Sequence, residues 1–311
     1  MSTKNSNLRV TGSLTTMPNQ YDKVIKTLES LHNQTYKLDA IYLSLPEKSL
    51  RLGTKYPPVP KEISDKCTII TCVDYGPVTK IQGALLAESD PDTVIITFDN
   101  DMVYPPTMIE KLVENHKKYP NSAIGSAGML LGLGNCPFCA INPNENNSLY
   151  NISKFQIPKN GRKIDSVYGY PGALYLRKFF PEKDKLDDEF FKYALINEAT
   201  LLNDDIIISG YLSLHNIERR IFPNMPSVDY VKQDGERKRT EVEISYNMDK
   251  FFQRMNVAID TTKEIGMYKT TEPLNFNETI FGVGAIIVIV ILIILIICYL
   301  LINPPHPVFM I

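Results

Sequence analysis

The chain predicts an α/β fold: a mostly parallel, Rossmann-type sheet flanked by helices, plus one C-terminal transmembrane helix. Three observations carry that expectation. The first half alternates short β-branched runs with stretches of helical spacing. One run, TVIITF at 93–98, is apolar and β-branched, as a central parallel strand covered on both faces requires. Finally, residues 280–302 contain no Asp, Glu, Lys or Arg. A helix rising about 1.5 Å per residue over that length spans a hydrocarbon core of roughly 30 Å.

The elements follow in order. Residues 8–14 read as a first strand, and 21–34 as a helix with Val24, Ile25, Leu28 and Leu31 at helical spacing. Residues 40–45 form a second strand. The segment 47–65, with Pro57, Pro58 and Pro60, is a loop. A third strand at 67–73 precedes a helix at 79–87. After the central strand, 106–119 is a helix with proline at its start, and 123–127 is a fifth strand. Strand–helix–strand repetition implies parallel pairing with right-handed crossovers. Residues 130–162, rich in Gly, Asn and Pro, read as an irregular excursion. Regular signals return at 166–176 and 190–215. The stretch 229–243 is highly charged, and 242–267 reads as a peripheral helix leading to the anchor. The expected divisions are 1–230 for the main α/β domain, 231–279 for a charged helical extension, 280–302 for the membrane helix and 303–311 for a short tail.

Composition narrows the function. Of 311 residues, 44% are apolar, enough for a sizeable core, and Lys+Arg (33) nearly cancel Asp+Glu (35). The absence of a basic excess argues against a nucleic-acid partner. The N-terminus MSTKNSNLRV has no apolar signal core. The soluble part is therefore expected on the cytosolic side of a membrane. Cys136 and Cys139 form a CPFC, but a zinc site needs a second ligand pair that the sequence does not supply.

In open α/β sheets ligands bind beyond the carboxyl ends of the strands. After TVIITF come Asp99, Asn100 and Asp101. Two carboxylates one residue apart suit a hard divalent cation that keeps positions open for phosphate oxygens. An ordinary acidic turn is the alternative. A second acidic pair, Asp204 and Asp205, follows Asn203 and precedes the apolar run IIISGYLSL. One of these carboxylates is a candidate general base, with helix capping as the other explanation. The residues alone leave open which of the two points inward.

Several ordered motifs then converge. TGSLTTMPNQYDKVIKTLESLHNQTYKLDAIYLSLP is followed by DYGPVTKIQGAL, ITFDNDMVYPPTMIEKL, GYPGALYLRK and LNDDIIISGYL. Together, over roughly residues 8–225, they resemble GT-A-type, family-2-like nucleotide-sugar glycosyltransferases, including those of large DNA viruses. The resemblance implies a GT-A fold, a nucleotide-sugar donor, a glycan, protein or lipid acceptor, and Mn2+ or Mg2+ held through Asp101, with Asp99 closer to the ribose. It places Thr15 and Thr16 near the base and Asp74 on the uracil or ribose. Lys80, at a helix start, is assigned to phosphate, with a solvated surface lysine as the alternative. The run Gly169-Tyr170-Pro171-Gly172 would shape the acceptor side, and Gly172 is carried over to the donor-binding set. His215 is a candidate additional metal ligand. The relatives often have three consecutive acids where this chain has Asp-Asn-Asp, a change compatible with D-x-D.

The expectation is therefore a metal-dependent transferase that works by single displacement with inversion through an Asp base, with retention as the alternative mechanism and, from the viral resemblance, a host membrane or virion as the alternative setting. A catalytically inactive, membrane-anchored binding or virion surface module on the same fold is the alternative; it would be expected to lose one acidic site, and both are present. A two-metal phosphohydrolase would need a richer His/Asp set than four histidines provide.

Overall fold

Each β-branched run of the first third becomes a strand, in a computed structural model that describes residues 8–131, 157–231 and 241–268. β1 (Val10–Thr15) leads to α1 (Tyr21–His32), β2 (Ala40–Pro46) to the single turn α2 (Lys61–Ser64), and β3 (Thr68–Cys72) to α3 (Thr79–Ala87). β4 (Val94–Thr97) is followed by β5 (Met102–Val103) and α4 (Met108–Lys118). α1 buries Val24, Thr27, Leu28 and Leu31, the i, i+3, i+4, i+7 stripe of an amphipathic helix.

The later chain is more broken. β6 (Ser122–Gly125) and β7 (Gly128–Met129) precede β8 (Arg162–Lys163), β9 (Ser166–Val167) and β10 (Ala173–Leu176). The short turns α5 (Leu186–Glu189) and α6 (Glu198–Leu201) lead to α7 (Asp204–Leu214), then β11 (Glu218–Ile221), β12 (Asp229–Tyr230) and α8 (Glu241–Glu264).

The main sheet has eight strands in the order β3-β2-β1-β4-β10-β6-β11-β8. β1 pairs parallel with β2 and β4, β2 with β3, and β11 with β6. β10 is antiparallel to both β4 and β6, and β8 is antiparallel to β11. The sheet is thus mostly parallel, with a reversed strand near its centre. That reversal matters for the site. Because Ala173 pairs with Thr97, the loop entering β10 lies at the edge where β4 ends. Residues 168–172 are delivered beside Phe98 and Asp99.

α8 differs from the expected peripheral helix. It packs against α6 and α7 and buries Met255, Ala258 and Thr262, so residues assigned to an extension complete the wall around α7. Every described residue lies within one compact unit, Met1–Glu272. The expected membrane helix at 280–302, the tail and the CPFC lie outside the described residues. Among the described residues, no helix is long and apolar enough to cross a membrane.

Candidate active site

The carboxyl ends of β1 and β4 meet at one edge of the sheet, and side chains there tie their loops together. The Asn100 amide donates to Thr16 Oγ1 and Gln20 Oε1, each at 2.9 Å. The Thr27 hydroxyl bonds the carbonyls of Asn100 and Met102, each at 2.9 Å. The Asp99 backbone N–H donates to the Tyr104 hydroxyl at 2.8 Å, and that hydroxyl donates to the Tyr170 carbonyl at 3.0 Å. Asn100 therefore holds the acidic loop against the loop after β1. Tyr104, buried and edge-on to Phe98 at 4.8 Å between ring centres, connects the same loop to the segment before β10.

Lys80 occupies a place that neither sequence reading assigned. α3 lies so close to the sheet that strand hydroxyls bond its backbone: the Ser13 hydroxyl donates to the Lys80 carbonyl at 2.6 Å, and the Gly83 N–H donates to Ser44 Oγ at 2.8 Å. A Cβ at Gly83 would stand 2.7 Å from Ser44 Oγ, so glycine is what permits this approach. The consequence is a buried Lys80 whose ammonium pairs with Asp99 and, at 2.7 Å, with Asp204 Oδ2. Burial alone would lower the pKa of this ammonium. The carboxylates of Asp204, Asp99 and Asp205 outweigh that effect and hold it well above the ordinary lysine value. Lys80 is a charged bridge between the two acidic sequences.

Asp204 and Asp205 form the first turn of α7, where unpaired backbone N–H groups favour negative charge. Their environments differ. Asp204 faces Lys80. Asp205 Oδ1 accepts from the Gly169 N–H at 2.8 Å, and a Cβ at Gly169 would come within 3.0 Å of that oxygen. Desolvation by the surrounding protein, reinforced by the charge of Asp204, raises the Asp205 pKa well above the usual carboxylate range. The pair thus divides into a carboxylate tied to a cation and a carboxyl held toward its neutral form.

Two clefts share this chemistry. The first, of about 300 Å³, is lined by Thr15, Thr16, Asp74, Lys80, Asp99, Asp101 and Asp204, among others. The second, of about 460 Å³, is lined by Asp99, Asp204, Asp205, Tyr168, Tyr170 and Tyr230, among others. Asp99 and Asp204 belong to both and form the wall between them.

Most residues assigned from the sequence meet at these clefts, with two differences. Gly172, assigned to the donor, lines neither cleft; at φ +90° it closes the turn before β10, facing Leu112, Phe98 and Met108. His215 is exposed at the far end of α7, its ring 4.4 Å from that of Tyr211, roughly 16 Å along the helix from Asp204, too far to share a metal. Asp74 lines the first cleft, as expected, with Oδ1 accepting from the Gly76 N–H and Oδ2 from the Leu50 N–H, each at 2.7 Å. It shapes the 49–54 loop and so aims Arg51 at the cleft. Arg51, Gln20 and Tyr56, whose hydroxyl donates to the Thr16 carbonyl at 2.7 Å, were not singled out from sequence. They lie in a proline-rich loop or a helix approach with no motif to mark them.

The residues at the first cleft fit a hard divalent cation. Asp101 carries a raised pKa, from burial first and then from the charge of Asp99, and Lys23 approaches it only to 4.0 Å. A cation would relieve this repulsion. Among the described residues no group of three or more His, Cys, Asp or Glu side chains surrounds one point. A two-carboxylate site completed by water and phosphate oxygens is the usual arrangement for Mg2+ with a phosphorylated substrate.

No protein-family model matches the chain, and no curated protein matches it. One similar solved structure is glucosyl-3-phosphoglycerate synthase from Mycobacterium tuberculosis, in complex with Mn2+, uridine diphosphate and phosphoglyceric acid. It is 12% identical, the match covers 81% of this chain and 79% of that one, and the TM-score is 0.41. At that distance, the chemistry of the site rests on this chain's own residues.

Proposed function

We propose that this chain is a metal-dependent glycosyltransferase, moving a sugar from a nucleoside diphosphate to an acceptor hydroxyl with inversion, and that Asp204 is its general base. The observation that supports this reading best is the meeting of Asp99 and Asp204 across Lys80, in a wall common to two clefts. The donor takes the first cleft, with its base toward Thr15 and Thr16 and its diphosphate toward Asp99, Asp101 and Arg51. Mn2+ or Mg2+ on Asp99 and Asp101 would supply charge neutralisation for the departing diphosphate. The acceptor takes the second cleft.

The transfer balances as a single displacement. The acceptor oxygen bonds the anomeric carbon, the bond from that carbon to the diphosphate oxygen breaks, and the acceptor proton passes to Asp204. Asp204 suits this role because it faces both clefts while Lys80 fixes its Oδ2. Asp205 suits it less, since Gly169 occupies its Oδ1 and its carboxyl is held toward the protonated form. Its role is to position the segment before β10 against α7.

The test is donor consumption by the full-length chain with UDP- and GDP-sugars and Mn2+, followed by the anomeric configuration of the product. The expected result is consumption that EDTA and Asp101→Ala each abolish, with inverted product. Full turnover in EDTA would remove the metal; no consumption of any donor would remove the transferase. The same proposal includes a single-pass anchor at 280–302 that tethers a cytosolic catalytic domain. Carbonate-resistant membrane association that survives deletion of those residues would overturn that part.

A further inference from the structure

We infer that the second cleft accepts a neutral pyranoside, held by its C–H face on Tyr230 and Tyr170 while its hydroxyls reach Asp204. This rests on the transferase reading and names the acceptor class for it.

The cleft pairs exposed rings with half-buried acids. Tyr230 is 66% exposed and Tyr170 36% exposed, and both line the open second cleft, with the less exposed Asp99 and Asp204 at its floor. Backbone pairing holds the rings there. Tyr230 sits on β12, which pairs antiparallel with β5 directly after the acidic loop, and the next N–H, of Val231, donates to the Asp101 carbonyl at 2.8 Å. Tyr170 is fixed by the Tyr104 hydroxyl at its carbonyl and by the neighbouring Tyr168 ring, 6.1 Å away. Met102, Met129, Met255 and Phe251 add apolar surface beside them.

This composition selects among hydroxyl compounds. An aromatic face carries negative charge and attracts polarised C–H groups, and a ring buries a large apolar area at little entropic cost. A pyranose offers one C–H face and a rim of hydroxyls, matching rings on the wall and carboxylates on the floor. An anionic acceptor would meet Asp99, Asp204 and Asp205, and the lysine that bridges the first two is already engaged by them. A cationic acceptor would compete with that same lysine for the same carboxylates.

Saturation-transfer NMR on the full-length chain separates the outcomes without needing the donor. The probes are neutral methyl pyranosides, a sugar phosphate and an aminosugar. The expected result is contact through pyranoside C–H protons, weakened roughly tenfold in Tyr230→Ala and restored in Tyr230→Phe, because one ring face provides an effect of that size. Preferential binding of the phosphate or the aminosugar, no contact from any neutral probe, or unchanged contact in Tyr230→Ala would each overturn the inference. Donor hydrolysis by the wild type is measured in parallel: if it persists while the pyranosides fail, the acceptor class is wrong and the transferase stands; if it too is absent, the transferase reading is at fault.

Discussion

The two clefts are assembled in opposite ways. The first is built at the carboxyl ends of β1 and β4 and the loops beside them, where parallel strands bring Thr15, Thr16, Asp99 and Asp101 to one sheet edge. Its chemistry is ionic. The second draws on fragments from 99 to 255, brought together by a reversed strand, a two-residue strand pair and the last described helix. Its chemistry is aromatic and apolar over a carboxylate floor. A parallel sheet supplies a polar ligand site from topology alone, whereas the site for the second reactant has to be added by tertiary packing. Asp99, Lys80 and Asp204 form the seam at which the two are joined.

Variants along that seam break or sharpen the contrast. The largest effect is expected for Asp204→Asn, which should cut glycosyl transfer about 10²–10⁴-fold, the range for loss of a general base, while donor binding persists; Asp205→Asn should cost far less. Equal losses in the two variants, read from single-turnover rates, would erase the distinction drawn between them. Next comes Lys80→Met, which leaves two carboxylates facing each other without their buried cation. Breaking a buried pair in this way costs about 3–5 kcal/mol, visible as a lowered denaturation midpoint; an unchanged midpoint would show that the bridge is not structural.

Smaller effects probe the acceptor side. Gly169→Ala inserts a methyl 3.0 Å from Asp205 Oδ1, and overpacking of this kind costs about 1–3 kcal/mol. Because the backbone N–H is retained, the expected stability loss is at the low end, read as a slightly lowered denaturation midpoint, and the kinetic damage should fall on the acceptor rather than the donor. The smallest effect is a slope. The folded chain keeps the Asp205 proton to higher pH than the unfolded chain does, so the contribution of this one residue to folding stability in metal-free buffer should fall as pH rises above about 4, the unfolded carboxylate value. Asp205→Asn removes that decline, and the variant's stability relative to wild type should therefore grow with pH. Parallel denaturation curves at several pH values would contradict it.

The same contrast explains what could be read from sequence. TVIITF followed by Asp-Asn-Asp announces a strand end with oxygen ligands, because strand period and ligand spacing are local. The first-turn position of Asp204 and Asp205 was equally local. What stayed hidden depends on distant partners. Lys80 resembled a helix-start lysine because Ser13, Ser44 and Gly83, which seat α3 on the sheet, have no motif. Gly172 belonged to a stretch assigned to ligand, but its left-handed turn faces the core. His215 could be weighed only once α7 was known to put it at the opposite end from Asp204. Tyr230 and α8 reach the second cleft through pairing with β5 and packing on α7, neither of which leaves a periodic trace in the amino-acid order.

The division of labour between the clefts is tested most directly by calorimetric binding of UDP and GDP, with and without Mn2+, to wild type, Asp101→Ala and Asp204→Asn. The account predicts metal-dependent nucleotide binding that is lost in Asp101→Ala and kept in Asp204→Asn, although both variants fail to transfer sugar. Nucleotide binding that ignores Mn2+, or that falls equally in the two variants, would contradict it.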